Sequence, residues 1–138
     1  MATGLIGGRS GEYIKDELNN MDIQHNFVDI NGETRSCIAI LSEDKSQTEV
    51  LEEGPHISKA EISNFYKFYQ QIIHNCQIVC APGSLPRGLE MDTYRKLIGI
   101  AKEHDKKFIL DTGGEALKFG IDGAPFLGTV FTKSKFLV

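Results

Sequence analysis

Two glycine-containing turns, one serine and one arginine are the residues whose types could bind a phosphate. Gly83 and Ser84 follow an apolar run, so the hydroxyl and the backbone amides of that turn could hold a phosphate or a sugar oxygen. The geometry of a tight turn explains Gly83 equally well, and the residues alone leave both interpretations open. The segment does not match the Gly-x-Ser-x-Gly elbow of hydrolases, so Ser84 is not predicted to be a nucleophile.

The glycine-rich segment 4–11 runs into a predicted helix, which invites interpretation as a phosphate cradle. Its spacing fits neither the dinucleotide pattern Gly-x-Gly-x-x-Gly nor the Walker pattern ending in Gly-Lys-Ser/Thr. We therefore favour close packing of a strand against a helix, and the alternative that Gly7 and Gly8 lie near a substrate stays open.

Arg35 stands in a β-prone run, where a solvated charge is the default interpretation. If that run covers a ligand cleft, its guanidinium could hold a phosphate through paired hydrogen bonds. The four histidines and three cysteines show no metal-ligand spacing, so no metal site is predicted. Cys76 and Cys80 are expected to be small buried residues of a strand.

Hydrophobic periodicity predicts the elements that must position these residues. A short helix with Ser10 as its N-cap is expected to end near Asn20. Asn31-Gly32 between two β-prone runs is typical of a hairpin tip, and a third alternating run follows at 47–52. The pattern predicts three antiparallel strands between about residues 24 and 54, with one face in solvent.

The second half of the sequence has the pattern of a βαβ unit. A Ser-x-x-Glu capping box at Ser58 begins a helix, and apolar runs at 78–81 and 107–111 are typical of parallel strands buried on both faces. Ligands of such sheets bind beyond the carboxyl ends of the strands, where Ser84 and Asp111 stand.

Composition limits the classes of protein that this chain could be. The 138 residues carry 15 basic and 19 acidic side chains and are 41% hydrophobic, which suits one small globular domain. The basic residues are scattered along the sequence and the net charge is -4, which argues against nucleic acid as a partner. No apolar run approaches the roughly 18 residues of a membrane span, and the start does not resemble a signal peptide, so a cytoplasmic protein is expected.

Five motifs, in their order and spacing, closely resemble those of the ribokinase-like (PfkB-type) carbohydrate kinases, above all the tagatose-6-phosphate kinase and 1-phosphofructokinase branch. They are Gly4-Leu5-Ile6-Gly7-Gly8 with Gly11, Gly32-Glu33-Thr34-Arg35, Thr48-Glu49 with Glu53-Gly54-Pro55, Gly83-Ser84-Leu85-Pro86-x-Gly88, and Leu110-Asp111-Thr112-x-Gly114. The resemblance covers the chain from about Ala2 to Val130. It implies a three-layer α/β fold of the ribokinase-like (Rossmann-like) type. In that fold a small β-sheet lid at about 24–54 covers a body formed by 1–23 and 55–131, and an atypical tail follows at 132–138.

The same resemblance implies ATP-dependent phosphorylation of a ketose phosphate, with Mg²⁺ neutralising the transferred group. The product would be tagatose 1,6-bisphosphate from tagatose 6-phosphate, or the fructose bisphosphate from fructose 1-phosphate. Arg35 and Ser84 resemble ligands of the substrate phosphate, and Gly7 and Gly8 resemble residues that line the sugar site. A homodimer formed through the lid is also implied.

Departures from the family pattern bear on catalysis. Family members carry an Asp that grips the sugar on a first strand, then a Gly-Gly-Lys-Gly segment, and far downstream a Gly-Ala-Gly-Asp segment whose Asp is the general base. The sequence contains none of these segments, so no catalytic residue is predicted in it and no ATP-binding residue is assigned. Pro82 stands where these kinases commonly have Ser, and Thr132 to Phe136 replace a usual Lys-Pro-Asn. We expect a truncated central fragment, inactive alone, with a non-catalytic dimerisation or sugar-phosphate-binding module as the alternative.

Overall fold

Parallel strands alternate with helices in the computed structural model, which describes residues 1–129. The elements follow one another as β1 (Leu5–Ile6), α1 (Gly8–Asn20), β2 (Val28–Asp29), β3 (Cys37–Leu41), β4 (Gln47–Leu51), α2 (Lys59–Ile72), a 3₁₀ turn (Ile73–Asn75), β5 (Ile78–Pro82), α3 (Thr93–Glu103), β6 (Lys107–Asp111), α4 (Gly114–Asp122) and β7 (Leu127–Thr129). This confirms the α/β class expected from the sequence. No described helix is both long and apolar enough to cross a membrane.

The chain divides into two compact units. The first consists of Met1–Phe65 with Pro86–Gly88, and the second of Tyr66–Leu85 with the chain from Leu89 onward. In the first unit β1 and β2 pair in parallel, and β3 and β4 form an antiparallel hairpin. In the second unit β5, β6 and β7 form a parallel sheet in that order. The predicted βαβ unit is therefore confirmed, because β5 and β6 are neighbouring parallel strands joined through α3.

An apolar core holds the second unit. α3 contributes Ile98, which is fully buried, and β6 contributes Phe108 and Leu110 at 2% and 0% exposure. A strand between two others can bury both of its faces, which explains why β6 alternates less between polar and apolar residues than an exposed strand would. α4 packs at the same place, where Gly120 lies so close to Leu110 that a Cβ would be 2.3 Å from its Cδ2.

The capping box predicted at Ser58 is present. The Ser58 backbone N–H donates to Glu61 Oε2 at 2.7 Å, and the Glu61 N–H donates to Ser58 Oγ at 3.3 Å. The hydrogen bond from the Ser58 hydroxyl to Glu61 Oε2, together with those from the Asn31 and Ser58 N–H groups, lowers the pKa of the Glu61 carboxyl. One carboxylate thus caps α2 and fixes the loop that follows β2.

The prediction of three antiparallel strands with a tip at Asn31-Gly32 is wrong in its first strand. β2 pairs in parallel with β1, and the antiparallel hairpin turns instead at Ser42–Ser46, where the Ser42 N–H donates to Ser46 O. Asn31 is bonded to Glu61, and Gly32 lies against Pro55, so long-range contacts override the local turn preference of Asn-Gly. The lid boundaries at about 24–54 stay a prediction.

Three smaller expectations also need correction. Ser10 lies inside α1, which begins at Gly8 with Gly7 as its N-cap. Cys80 is exposed and Cys76 is half-buried, not core residues, and β5 alternates between exposed and half-buried positions. β5 is an edge strand of its described sheet, so an apolar sequence does not guarantee burial. The predicted tail at 132–138 lies outside the described residues.

Candidate functional site

Gly7 and Gly8 form the turn between β1 and α1. Gly7 is buried, and a Cβ on it would be 2.4 Å from the backbone oxygens of Ile30 and Gly32. Gly8 has φ +66°, a left-handed conformation that favours glycine, and a Cβ there would be 2.0 Å from Glu33 Oε2. These glycines serve the close packing that the sequence favoured, and ligand contact at this turn stays a prediction.

The Gly-Glu-Thr-Arg segment is bonded directly to that turn. The Gly7 N–H donates to Thr34 Oγ1 at 2.9 Å, and the Thr34 N–H donates back to Gly7 O at 2.9 Å. The Glu33 carboxylate accepts hydrogen bonds from the N–H groups of Arg9 at 3.1 Å and Ser10 at 2.5 Å. The Ser10 bonds and the nearby Arg9 charge lower the pKa of Glu33. Glu33 therefore caps α1 from a distant part of the sequence.

Arg35 follows Thr34 on the surface of the first unit. Its aliphatic stem runs beside Gly54, where a Cβ would lie 3.3 Å from Arg35 Cβ, and Gly54 has φ +76°. The structure thus places three of the predicted site residues, Gly7, Gly8 and Arg35, in one bonded neighbourhood. Ser84, the fourth, belongs to the second unit.

A cavity of about 690 Å³ lies at the carboxyl ends of β5 and β6. Its polar lining includes Ser84 and Thr112, together with the carboxylates Asp111 and Glu115. This is the place at which open parallel sheets bind ligands, and the expectation that Ser84 and Asp111 lie near one another is confirmed.

Backbone bonds fix the Ser84 turn. The Gly83 N–H donates to Asp111 O at 2.8 Å, and the Tyr94 hydroxyl of α3 donates to Gly83 O at 2.8 Å. Tyr94 is 6% exposed; burial raises the pKa of its phenol, and a side-chain hydrogen bond with Thr112 opposes that shift. Gly83 has φ +96° with no atom near its missing Cβ, so the backbone conformation is what requires glycine there.

The two neighbourhoods offer different chemistry. The cavity presents two carboxylates, which accept hydrogen bonds from sugar hydroxyls, beside Ser84 and the first turn of α4. The first unit presents Arg35, whose planar guanidinium suits a phosphate. Its α1 N-terminus is already filled by Glu33, so that helix end does not act as a phosphate cradle here.

Sequence reasoning proposed Gly7, Gly8, Arg35 and Ser84 as site residues but did not predict the contacts of Glu33 and Thr34 with the first turn of α1. Glu33 lies in the region predicted as three antiparallel strands, whereas its carboxylate caps a helix about two dozen residues earlier in the chain. A long-range cap leaves no local pattern, in contrast to the capping box at Ser58, where both partners are three residues apart.

The described residues contain no side-chain cluster that would hold Mg²⁺ by itself. Within residues 1–129, no group of three or more His, Cys, Asp or Glu side chains is placed to hold a metal ion. The described residues therefore form no all-protein magnesium centre, and no reaction step is assigned to them through Mg²⁺ or ATP.

Comparison with known proteins gives the family. Residues 1–120 match the pfkB family of carbohydrate kinases. A candidate 1-phosphofructokinase from Thermotoga maritima is 27% identical with a TM-score of 0.85, and a candidate phosphofructokinase from Staphylococcus aureus is 30% identical with a TM-score of 0.73. Each alignment covers 94% of this chain and 41% of the other.

The tetrameric inhibited form of phosphofructokinase-2 from Escherichia coli shares the fold, with a TM-score of 0.74 at 24% identity over 88% of this chain and 40% of that one. This chain thus spans about two fifths of the length of the solved structures that it matches. Because the family match extends over most of its residues, the chain belongs to the pfkB family of carbohydrate kinases.

Proposed function

We propose that this chain supplies the sugar-phosphate-binding residues of a kinase that transfers a phosphoryl group from ATP to a ketose phosphate, either tagatose 6-phosphate or fructose 1-phosphate. The observation that carries the proposal is the bonding of the Gly-Glu-Thr-Arg segment onto the Gly7-Gly8 turn. These bonds fix the backbone beside Arg35. A residue that recognises a phosphate needs such a fixed position.

Each proposed residue has a separate role. The Arg35 guanidinium contacts the substrate phosphate through charge-assisted hydrogen bonds. Ser84 donates its hydroxyl to the substrate from the cavity in the second unit. Gly7 and Gly8 line the sugar site, and their lack of side chains lets the turn that they form pack against Ile30, Gly32 and Glu33.

Ligand titration followed by ¹⁵N NMR tests the binding role. Tagatose 6-phosphate and fructose 1-phosphate should each shift the amides around Arg35, with dissociation constants in the millimolar range. Arg35→Ala should weaken binding about tenfold or more, because it removes a charge-assisted contact. Arg95→Ala is the matched control, since it removes the same charge from α3, where Arg95 bonds Asp92. Equal affinities of wild type and Arg35→Ala would remove Arg35 from the site.

Phosphoryl transfer is tested separately. Incubated with ATP, Mg²⁺ and either ketose phosphate, the 138-residue chain should release no ADP above background, because it contains no Gly-Ala-Gly-Asp segment to supply the general base that the family resemblance implies. Turnover of about 1–100 per second, as in typical kinases, would show that another residue acts as the base.

A second candidate function, self-association, rests on the β3–β4 hairpin. The register pairs Ile38 with Val50 and Ile40 with Thr48, so one hairpin face carries three apolar residues that are each more than half exposed. We propose that this face forms a homodimer contact. The Ile38→Lys substitution should then shift sedimentation from dimer to monomer, whereas Ala39→Lys, on the opposite face of the same strand, should not. A wild type that sediments as a monomer would rule the dimer out.

A further inference from the structure

We propose that Glu33 and Thr34 are positioning residues for phosphate recognition: together they fasten the segment that carries Arg35 onto the first turn of α1. This inference rests on the proposed function, because it assigns a role to the two residues that precede the proposed phosphate ligand. It concerns the first unit alone.

Thr34 is fixed through both its backbone and its side chain. Its N–H donates to Gly7 O and its Oγ1 accepts the Gly7 N–H, both at 2.9 Å. The two bonds close a small ring between Thr34 and Gly7, and the side-chain bond is partly buried. A residue bonded twice to one partner has little freedom to rotate, so the backbone that enters Arg35 is held in one direction.

Glu33, one residue earlier, adds hydrogen bonds from backbone N–H groups to its charged carboxylate. Both of its carboxylate oxygens are used, Oε2 by the Arg9 N–H and Oε1 by the Ser10 N–H. These are N–H groups of the first turn of α1 that have no partner within the helix, and a carboxylate at a helix N-terminus is favoured by the helix dipole. Charge-assisted bonds of this kind are stronger than bonds between neutral groups.

Gly8 makes the anchor sterically feasible. With φ +66° and no side chain, it leaves the space that the Glu33 carboxylate occupies, where a Cβ would lie 2.0 Å from Oε2. The glycine turn and the Gly-Glu-Thr-Arg segment are therefore complementary halves of one contact. The polar side-chain atoms of Thr34 and Glu33 are directed at the start of α1, so no ligand contact is assigned to them.

Anchoring matters because Arg35 is an exposed residue on a segment without strand pairing. A long cationic side chain loses conformational freedom when it binds a phosphate, and a backbone that is already fixed reduces that cost. Loss of either anchor should therefore weaken binding through Arg35, without removing any ligand contact.

The test is a double-mutant cycle on ligand affinity. Glu33→Gln keeps the side-chain shape but removes the charge, and Thr34→Val is isosteric but lacks the hydroxyl. Each should weaken the binding of fructose 1-phosphate and tagatose 6-phosphate about three- to tenfold in the NMR titration. In the Arg35→Ala background the same substitutions should have no further effect, since a positioning residue acts only through the group that it positions. Glu43→Gln, a change of another exposed carboxylate on the β3–β4 turn, should leave affinity unchanged.

Each outcome decides between the interpretations. If Glu33→Gln and Thr34→Val bind as tightly as the wild type, or if they weaken binding equally with and without Arg35, the positioning role is overturned while the proposed function stands. If the wild type itself shows no response to either sugar phosphate, the proposed function is overturned and this inference with it. Amide spectra of the first unit away from the first turn of α1, recorded for every variant, identify any variant that fails to fold, and the remaining variant of the pair then decides.

Discussion

Different interactions stabilise the interior of each of the two units. Among the described residues, the buried apolar side chains of the first unit are Ile6 and Ile57, whereas the second unit buries ten. In the first unit several long-range contacts are hydrogen bonds from backbone amides to side chains, such as those accepted by Glu33, Thr34 and Glu61.

The difference bears on how each unit responds to mutation. An apolar core is cooperative, so damage at one position lowers the stability of the whole unit. A set of separate polar bonds is local, so the loss of one bond releases one segment and leaves the rest. We therefore expect substitutions in the second unit to act on stability, and substitutions in the first unit to act on the placement of Arg35.

The largest expected effect is on the core of the second unit. Phe108 is 2% exposed on the central strand β6, so Phe108→Ala should lower the free energy of unfolding by about 3–5 kcal/mol through lost burial and the cavity that it leaves. Urea denaturation followed by circular dichroism measures this change.

Phe126→Ala is the matched control for that experiment. Phe126 is 65% exposed, and the Lys107 ammonium lies 4.7 Å from its ring centroid, so removal of the ring should cost about 1 kcal/mol or less. Equal losses at Phe108 and Phe126 would contradict a core centred on β6.

Glycine substitutions should have opposite signs in the two units. Gly8→Ala places a Cβ where the Glu33 carboxylate lies and forces a left-handed conformation that costs about 1–2 kcal/mol by itself. Gly99 lies inside α3 with no atom within 4 Å of its missing Cβ, so Gly99→Ala should stabilise the chain by about 0.5–1 kcal/mol. Thermal unfolding of both variants measures whether each one raises or lowers stability. A Gly8→Ala variant that is more stable than the wild type would contradict the proposed contact between Glu33 and the Gly8 turn.

A smaller effect is expected where the second unit also depends on a polar bond. Tyr94→Phe removes the hydroxyl that bonds Gly83 O and should cost about 0.5–1.5 kcal/mol, with amide shifts concentrated at Gly83 and Ser84. Tyr13→Phe, at a position that is 65% exposed on α1, should change neither quantity. Shifts spread evenly over the unit would mean that Tyr94 acts through core packing instead.

The same contrast explains which features the sequence predicted. The apolar runs of β5 and β6 and the capping box at Ser58 are short-range patterns, and the structure confirms each as an element. The buried state of Cys80 was wrongly predicted because burial depends on which strands lie beside β5, and a run of apolar residues does not specify its neighbours.

The prediction of a hairpin tip at Asn31-Gly32 was wrong for a related reason. Its local preference for a hairpin is strong, but the bond from Asn31 to Glu61 and the contact of Gly32 with Pro55 involve residues more than 20 positions away. The candidate site residues were assigned by motif resemblance, whereas Glu33 and Thr34 make their contacts with residues more than 20 positions earlier in the chain. Long-range polar contacts of this kind leave no periodic signal in a single sequence.

The smallest and most local effect should come from pH. Hydrogen bonds from backbone amides lower the pKa of Glu33, and bonds involving Ser58 and Asn31 lower that of Glu61. A carboxyl with a lowered pKa in the folded state contributes stability above its unfolded pKa of about 4.3, and this contribution is lost as the pH falls through the lower, folded value.

Acidification below about pH 4 should therefore loosen the first unit before the second. In an NMR titration, the amide signals of Arg9, Ser10 and Asn31 should shift together as their carboxylate acceptors become protonated. The Gly83 amide should not follow them, because it donates to the Asp111 backbone oxygen, which does not titrate. The second unit has its own carboxyl of lowered pKa, Asp92, but the causes of that shift are Lys96 and Arg95, so its response should be confined to the start of α3. With Glu33→Gln, the Arg9 and Ser10 shifts should vanish while the Asn31 shift persists. If all three amides still titrated in that variant, a group other than Glu33 would cause the shifts of Arg9 and Ser10. The first turn of α1 would then not depend on the Glu33 carboxylate, and this result would contradict the view that separate polar bonds stabilise the first unit.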